Sequence, residues 1–332
     1  MLNVNHDRDA ALRRRSESWY DPARRPALLA LLQLLQSREY DFVTATPATH
    51  ARVVKRPDRR TATSLRDVLG WSLAFARDLL DPAVSWALEE AGAIQPISAS
   101  ADRWEPTLRV SRVGSHLYLH SAYPTTQADA VFLGPDSYRF ARWIAENGKP
   151  GARTVMDYGA GAGVGGVSAA SGLADARLTL ADINPKALFL ASINAEHAGI
   201  AHDTIEAREP QAIERTFDLI VTHPPFMIDA DRRAYRDGGD LYGARLSLDW
   251  VMQGTRLLTP GGRLILHTGV SIVDGRDVLL DELRRCLPEQ GLTMRYVELD
   301  PDIFSEDLDQ PGYERVERIA AIGLMIERDA AR

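Results

Sequence analysis

Up to about residue 125 the apolar positions read as helices followed by one hairpin. Beyond it, short apolar runs alternate with helical patterns. Pro26 to Ser37 is an amphipathic helix opened by proline, and a polar, arginine-rich loop follows it. Leu65, Val68, Leu69, Trp71, Leu73 and Phe75 predict a helix over Thr63 to Ala76, and Pro82 to Ala91 a further one that Gly92 stops. Trp71 and Trp86 are assigned to the core. Leu108 to Val113 and His116 to Ala122 alternate in polarity around Gly114-Ser115, a two-residue hairpin signal. His116 and His120, four apart in that strand, share a face and are read as structural. Residues 1 to about 22 read as loosely ordered, and residues 1–125 as an accessory domain, mainly helical and winged-helix-like or α+β.

In the second part, Ala130 to Tyr138 leads into a helix running to about Glu146, where Asp136 or Ser137 can act as a cap. Strands are expected at Thr154 to Met156, Arg177 to Asp182, Asp203 to Glu209, Phe217 to Thr222, Gly262 to Val270, Leu292 to Leu299 and Arg318 to Glu327. Helices are expected from about Val164, after Pro185, over Leu246 to Leu257 and over Asp277 to Leu287. Residues 126–332 are therefore expected to form an α/β domain with a Rossmann-like, seven-stranded, doubly wound sheet.

The chain has 332 residues, of which 45% are hydrophobic and 26% charged, enough for two domains and a large core. The longest apolar run, Pro26 to Leu35 broken only by Gln33, is too short to span a bilayer, and the charged start is no secretory signal. A cytoplasmic location without a membrane partner is expected. Cys286, the single cysteine, reads as a buried structural thiol, and no metal site is expected. The net charge of -7 hides an asymmetry: residues 1–66 hold 13 Arg or Lys against 7 Asp or Glu, leaving -13 for the rest. Arg13, Arg14, Arg15 and Lys55, Arg56, Arg59, Arg60 form two basic clusters, suited to phosphate contacts or to plain solvation.

Candidate chemistry begins behind the first strand of the second part. Asp157, Gly159, Gly161 and Gly163 stand at alternate positions, and glycines there permit a tight turn and close ligand approach. Gly161, Gly163 and Gly166 also satisfy the dinucleotide fingerprint, so the loop alone leaves a nicotinamide or flavin enzyme open. Asp182, at the carboxyl end of the next strand and followed by Ile183, is placed to accept from both hydroxyls of a ribose. Phe217 to Phe226 reads as a strand ending in a rigid His223-Pro224-Pro225-Phe226 turn at the sheet's carboxyl edge.

Taken together these segments resemble class I S-adenosylmethionine (SAM) methyltransferases of the small-domain type. The turn is similar to that of the amino-methylating enzymes with (Asn/Asp)-Pro-Pro-(Tyr/Phe), which act on adenine or guanine amines of rRNA and on the glutamine amide of release factors. The resemblance covers about residues 130 to 328. It implies SAM as cofactor, with Gly159, Gly161 and Gly163 against its methionine part, Asp157 anchoring that loop, and Asp182 and Ile183 at its ribose. It further implies that Asp136, Ser137 and Tyr138 close over the methionine end, and that Glu209, ending the third strand, meets the adenine amine.

In such enzymes the residue before the prolines and a nearby carbonyl orient the target nitrogen, and the aromatic residue stacks on the substrate. Here His223 stands where Asn or Asp is usual, so it acts as a hydrogen-bond acceptor or as a base. The glycine-rich loop from Arg233 to Gly243 resembles a lid, with Arg233 and Arg236 as phosphate or substrate contacts. The expected acceptor is a planar nitrogen of an RNA base or a protein glutamine, with RNA, ribosome or release factor as partner. Three alternatives stay open: a small planar metabolite methylated on N or O with His223 as base, an NAD-dependent oxidoreductase, and an inactive RNA-binding module.

Overall fold

The structure, a computed structural model, describes residues 21–97, 102–230, 232–287 and 291–330. The loosely ordered start up to residue 20 and the cluster at Arg13, Arg14 and Arg15 lie outside the described residues.

Helix α1 (Arg25–Ser37) buries Leu28, Leu31, Leu32 and Leu35 on one stripe, as its spacing predicts. Helix α2 (Pro47–Val54) occupies what reads as an arginine-rich loop; its signals are the Thr46 cap, whose hydroxyl accepts from Thr49 N at 3.1 Å, and Pro47 in the first turn. Helix α3 (Leu65–Leu69) is shorter than expected, because the chain turns at Ser72 with φ of 55° and enters β1 (Phe75–Ala76) as extended backbone. Then come α4 (Pro82–Glu90), β2 (Ile94–Pro96), β3 (Arg103–Pro106) and the hairpin β4 (Leu108–Val113) with β5 (His116–Ser121). A three-stranded antiparallel sheet of order β1-β3-β2 joins the expected helices and hairpin. Trp71 packs edge-on against Phe42 at 5.3 Å, but Trp86 is 58% exposed and is not a core residue.

The second part runs α5 (Pro135–Asn147), β6 (Thr154–Tyr158), α6 (Val164–Ala170), β7 (Arg177–Asp182), α7 (Pro185–His197), β8 (His202–Glu206) and β9 (Phe217–Thr222). It continues through α8 (Arg245–Gly254), β10 (Leu258–Val273), β11 (Arg276–Asp277), α9 (Val278–Cys286), β12 (Leu292–Asp300) and β13 (Val316–Arg328). The sheet has the order β12-β13-β10-β9-β6-β7-β8, with β11 a short addition to β10. Strands β6 to β10 pair in parallel, whereas β13 is antiparallel to both of its neighbours. Cys286, expected to be buried, is only half-buried at the end of α9.

Alternation along the strands sorts side chains to two layers. Val155, Leu178, Leu180, Leu219 and Val221 pack with α5, α6 and α7, while Met156, Ile220, Leu264 and Leu266 pack with α8 and α9. The first cluster continues without a break into Leu28, Leu31, Phe42, Leu88, Leu117 and Leu119. Buried Asn194 on α7 stitches the two parts, exchanging hydrogen bonds with the backbone of Leu119 at 2.9 and 3.1 Å and donating to the Ala162 carbonyl at 2.9 Å. At the carboxyl edge Tyr158, Asp182, Glu206 and Thr222 lie in neighbouring register, which is where open α/β sheets hold ligands.

Candidate functional site

A cavity of about 570 Å³ opens at that edge, walled by the glycine loop, the ends of β7, β8 and β9, the start of α5, and Pro47 of α2. Gly159 has φ of 72°, and a Cβ there would lie 2.7 Å from the Trp250 ring, so only glycine fits. Asp157 is buried and its Oδ2 accepts from Gly166 N at 2.7 Å, which holds the first turn of α6 against the end of β6. Burial pushes the Asp157 carboxyl up to about 8, against the pull of that hydrogen bond. Asp182 accepts from Gly161 N at 2.9 Å and from Asn184 N at 2.8 Å, so one carboxylate fixes both the glycine loop and the start of α7. Burial raises the carboxyl of Asp182 as well. Its remaining lone pairs face a cavity that Ile183, 40% exposed, also walls.

At the end of β9, His223 Nδ1 lies 2.8 Å from the backbone carbonyl of His267, so Nδ1 carries the hydrogen and donates it. Nε2 is left as the acceptor. Burial, then the neighbouring His267, lowers the imidazole's pKa to about 4, which keeps it neutral near pH 7. Pro224 and Pro225 follow on the wall, and Phe226 stands 5.8 Å from the His223 ring between centroids. Phe226 in turn packs against Gly269 of β10, where a Cβ would lie 2.3 Å from the ring. Phe140 of α5 tilts over His223 at 5.6 Å.

The start of α5 contributes Asp136 and Ser137. Gly134, rather than either of them, is the N-cap residue, and Ser137 Oγ reaches back to accept from its backbone N–H at 3.4 Å. Asp136 is 3% exposed and accepts from Arg139 at 3.0 Å; its carboxyl is held below the usual range by His267, His223 and Arg139 in spite of burial.

Four expected contacts lie elsewhere. Tyr138 does not line the cavity: its hydroxyl accepts from Thr44 N at 2.9 Å on the accessory side, because the next helical position is turned by about 100° from Ser137. Glu209 is exposed beyond β8, which ends at Glu206, and Ala207 and Arg208 take the wall instead. Gly163 is off the wall; its φ of 79° starts α6, and a Cβ would press on Ala191 at 3.1 Å. Arg233 binds back to Asp229, while Arg236, held by Asp307 at 2.5 Å, does reach the cavity. The loop carrying them is closed by Tyr235, whose hydroxyl donates to the Thr125 carbonyl at 2.6 Å.

Sequence reasoning missed His267 and Trp250. Trp250 sets edge-on against Tyr158 at 4.5 Å and shapes the floor at Gly159. A histidine directly after the apolar run Leu264-Ile265-Leu266 was the available signal for His267. Its contribution to His223 is a backbone carbonyl, and side-chain patterns do not reveal that.

A mostly parallel, doubly wound sheet with an acid at the end of β7 and a Pro-Pro turn at the end of β9, both on the wall of one cavity, defines a Rossmann-like fold. Residues 142–268 match the family model "Methyltransferase small domain". Release factor glutamine methyltransferase of Deinococcus radiodurans is 32% identical over 123 residues, 34% of this chain and 44% of the relative. Ribosomal RNA small subunit methyltransferase C of Pasteurella multocida is 29% identical over 169 residues, 51% of this chain and 46% of the relative. A ribosomal protein L11 methylase of Lactobacillus delbrueckii subsp. bulgaricus aligns in structure over 60% of this chain and 81% of its own, with 20% identity and a TM-score of 0.41. The chain thus spans about half the length of these two sequence relatives, 44% and 46%.

Proposed function

We propose that the protein is a cytoplasmic SAM-dependent methyltransferase that methylates a planar nitrogen of an RNA base or of a protein glutamine. The observation that carries this reading is the bond from His223 Nδ1 to the His267 carbonyl at 2.8 Å, which presents a neutral Nε2 acceptor beside Phe226. An acceptor there can take the N–H of an amine or amide and turn its lone pair toward the cofactor side of the cavity. The Phe226 ring offers a planar substrate a stacking face.

The residues present fit the cofactor. Asp182 keeps lone pairs for a diol after binding Gly161 and Asn184, and Ile183 offers an apolar face for a base. SAM supplies an electrophilic methyl group when bound; the chain's part is to hold it, orient the acceptor and exclude water under the loop latched by Tyr235. The low basicity of His223 weakens the alternative in which it removes a proton from a hydroxyl. The antiparallel β13 between β10 and β12 departs from the nucleotide-binding order 3-2-1-4-5-6, which weakens the oxidoreductase reading. The activities that the relatives are named for, glutamine methylation of release factors and methylation of small-subunit rRNA, support the acceptor class. Residues 1–125 are assigned to substrate recognition, on the strength of their positive excess and of Pro47 in the cavity wall.

Methyl transfer from labelled SAM to separated RNA, protein and small-molecule fractions tests the reading. Label in RNA or protein is expected. Label confined to small molecules, or a thermal shift with NAD and none with SAM, overturns it.

A further inference from the structure

The hairpin β4–β5 carries a polar face inside the protein. Its register sets Arg109 opposite His120 and Ser111 opposite Tyr118, so these four side chains share one side of the ribbon. All four are 2% exposed or less. Ser111 Oγ bonds His120 Nε2 at 2.8 Å and Thr44 Oγ1 at 2.6 Å, which accounts for two of the residues.

Arg109 is different. Its Nε donates to the Ser121 carbonyl at 3.1 Å, and this is its one hydrogen bond among the described residues. Its two terminal amino groups, the fork that matches a carboxylate or phosphate, meet no acceptor, and no carboxylate pairs with it among those residues. The groups close enough to feel its charge are phenols and imidazoles, those of Tyr40, Tyr123, Tyr138, His50 and His120. Burial lowers the guanidinium to about 10, and Arg109 adds to the burial that holds His50 at about 4.

A charge taken out of water without a partner is costly, and folded proteins pair or coordinate such groups. Here phenols and a forked cation lie near one another with no anion among the described residues, at the junction between the hairpin and α5, which carries Tyr138. The place is distinct from the cofactor cavity, whose wall includes none of these residues, but Tyr138 directly follows Ser137 and His50 lies one turn beyond Pro47, both on that wall. We propose that Arg109 holds a small oxyanion, a phosphate or carboxylate group, in a second site between the β4–β5 hairpin and α5.

The test is thermal unfolding of the full chain in sodium phosphate, in sodium acetate, and in sodium chloride at matched ionic strength. The occupying group is expected to raise Tm by roughly 5 °C at a hundred times its Kd, and the arm with the larger shift identifies phosphate or carboxylate. Arg109→Met keeps the volume and removes the charge; it should fold with an undiminished Tm in chloride and lose the anion shift. Arg109→Lys covers the case in which the methionine variant does not fold: it keeps the charge, loses the fork, and should bind the same anion at least several-fold more weakly. No shift beyond chloride in the unmodified protein, an equal shift in Arg109→Met, or equal affinity in Arg109→Lys overturns the proposal. The SAM-induced shift should be the same in all three proteins, so failure here is distinguishable from failure of the methyltransferase reading.

Discussion

Replacing His223 separates orientation of the acceptor from removal of its proton. In the structure the ring is fixed by its donation to the His267 carbonyl at 2.8 Å, and its pKa is lowered to about 4. At pH 7 about one molecule in a thousand then carries a charged ring, so turnover should be flat from about pH 6 to 8 and fall only as pH approaches 4. His223→Asn can repeat the arrangement on a shorter side chain, its amide donating to the His267 carbonyl and its oxygen accepting from substrate. It should keep kcat/KM within about tenfold and lose the acid limb. His223→Ala removes the acceptor; a lost hydrogen bond of ~1 to 3 kcal/mol corresponds to a fall of roughly 10- to 100-fold. The assay is kcat/KM against pH for all three proteins, with SAM affinity measured alongside. Asn as inactive as Ala, with SAM binding intact, would refute the orienting role. Stability adds an independent check. The folded pKa lies below the unfolded one, so the protein gains a proton at His223 on unfolding between about pH 4 and 6.5, and this contribution of ~3 kcal/mol is complete above that window and lost on descending through it.

Asp182→Asn should weaken SAM binding by roughly 10- to 100-fold in a folded protein, since one oxygen can still serve a backbone amide but the charged acceptor for the diol is gone; calorimetric titration with unchanged affinity would remove Asp182 from the site. Gly269→Ala places a Cβ 2.3 Å from the Phe226 ring, and should cost ~1 to 3 kcal/mol of stability together with most of the activity; full methyl transfer in that variant would show that the ring position is immaterial. Asp157 has a carboxyl raised to about 8, so its contribution is greatest below about pH 4 and is lost as pH climbs through 8; Asp157→Asn cannot titrate, and guanidinium unfolding at pH 6 and 8.5 should show a smaller decline than in the unmodified protein.

The central sheet was legible because its strands are apolar runs that need cover on both faces, and the loops at their carboxyl ends carry residue types with few other uses. Asp157, Asp182 and the His223 turn fall where the pattern puts them. Where a strand ends in a charged stretch, the pattern gives no stop: β8 finishes at Glu206, so Glu209 falls outside and Ala207 and Arg208 stand on the wall. Neighbouring helical positions diverge for a similar reason, and Ser137 and Tyr138 serve different surfaces. The accessory strands β1 to β3, two to four residues each, are too short for alternation to appear. His267 acts on His223 through its main chain, about which its side chain says nothing.

The bonds between Asn194 and Leu119, with the ion pair of Arg25 and Glu196, make α7 a structural member of both parts of the chain. During synthesis α1 and the hairpin emerge well before α7, so α1 can pack on α4 at once, but the part of these apolar faces that rests on α7 stays uncovered until residues 185–197 have been made. That shared surface is closed only after the glycine loop and the helices that follow it have emerged. A chain interrupted between the hairpin and α7 thus leaves an uncovered surface rather than a free-standing accessory unit.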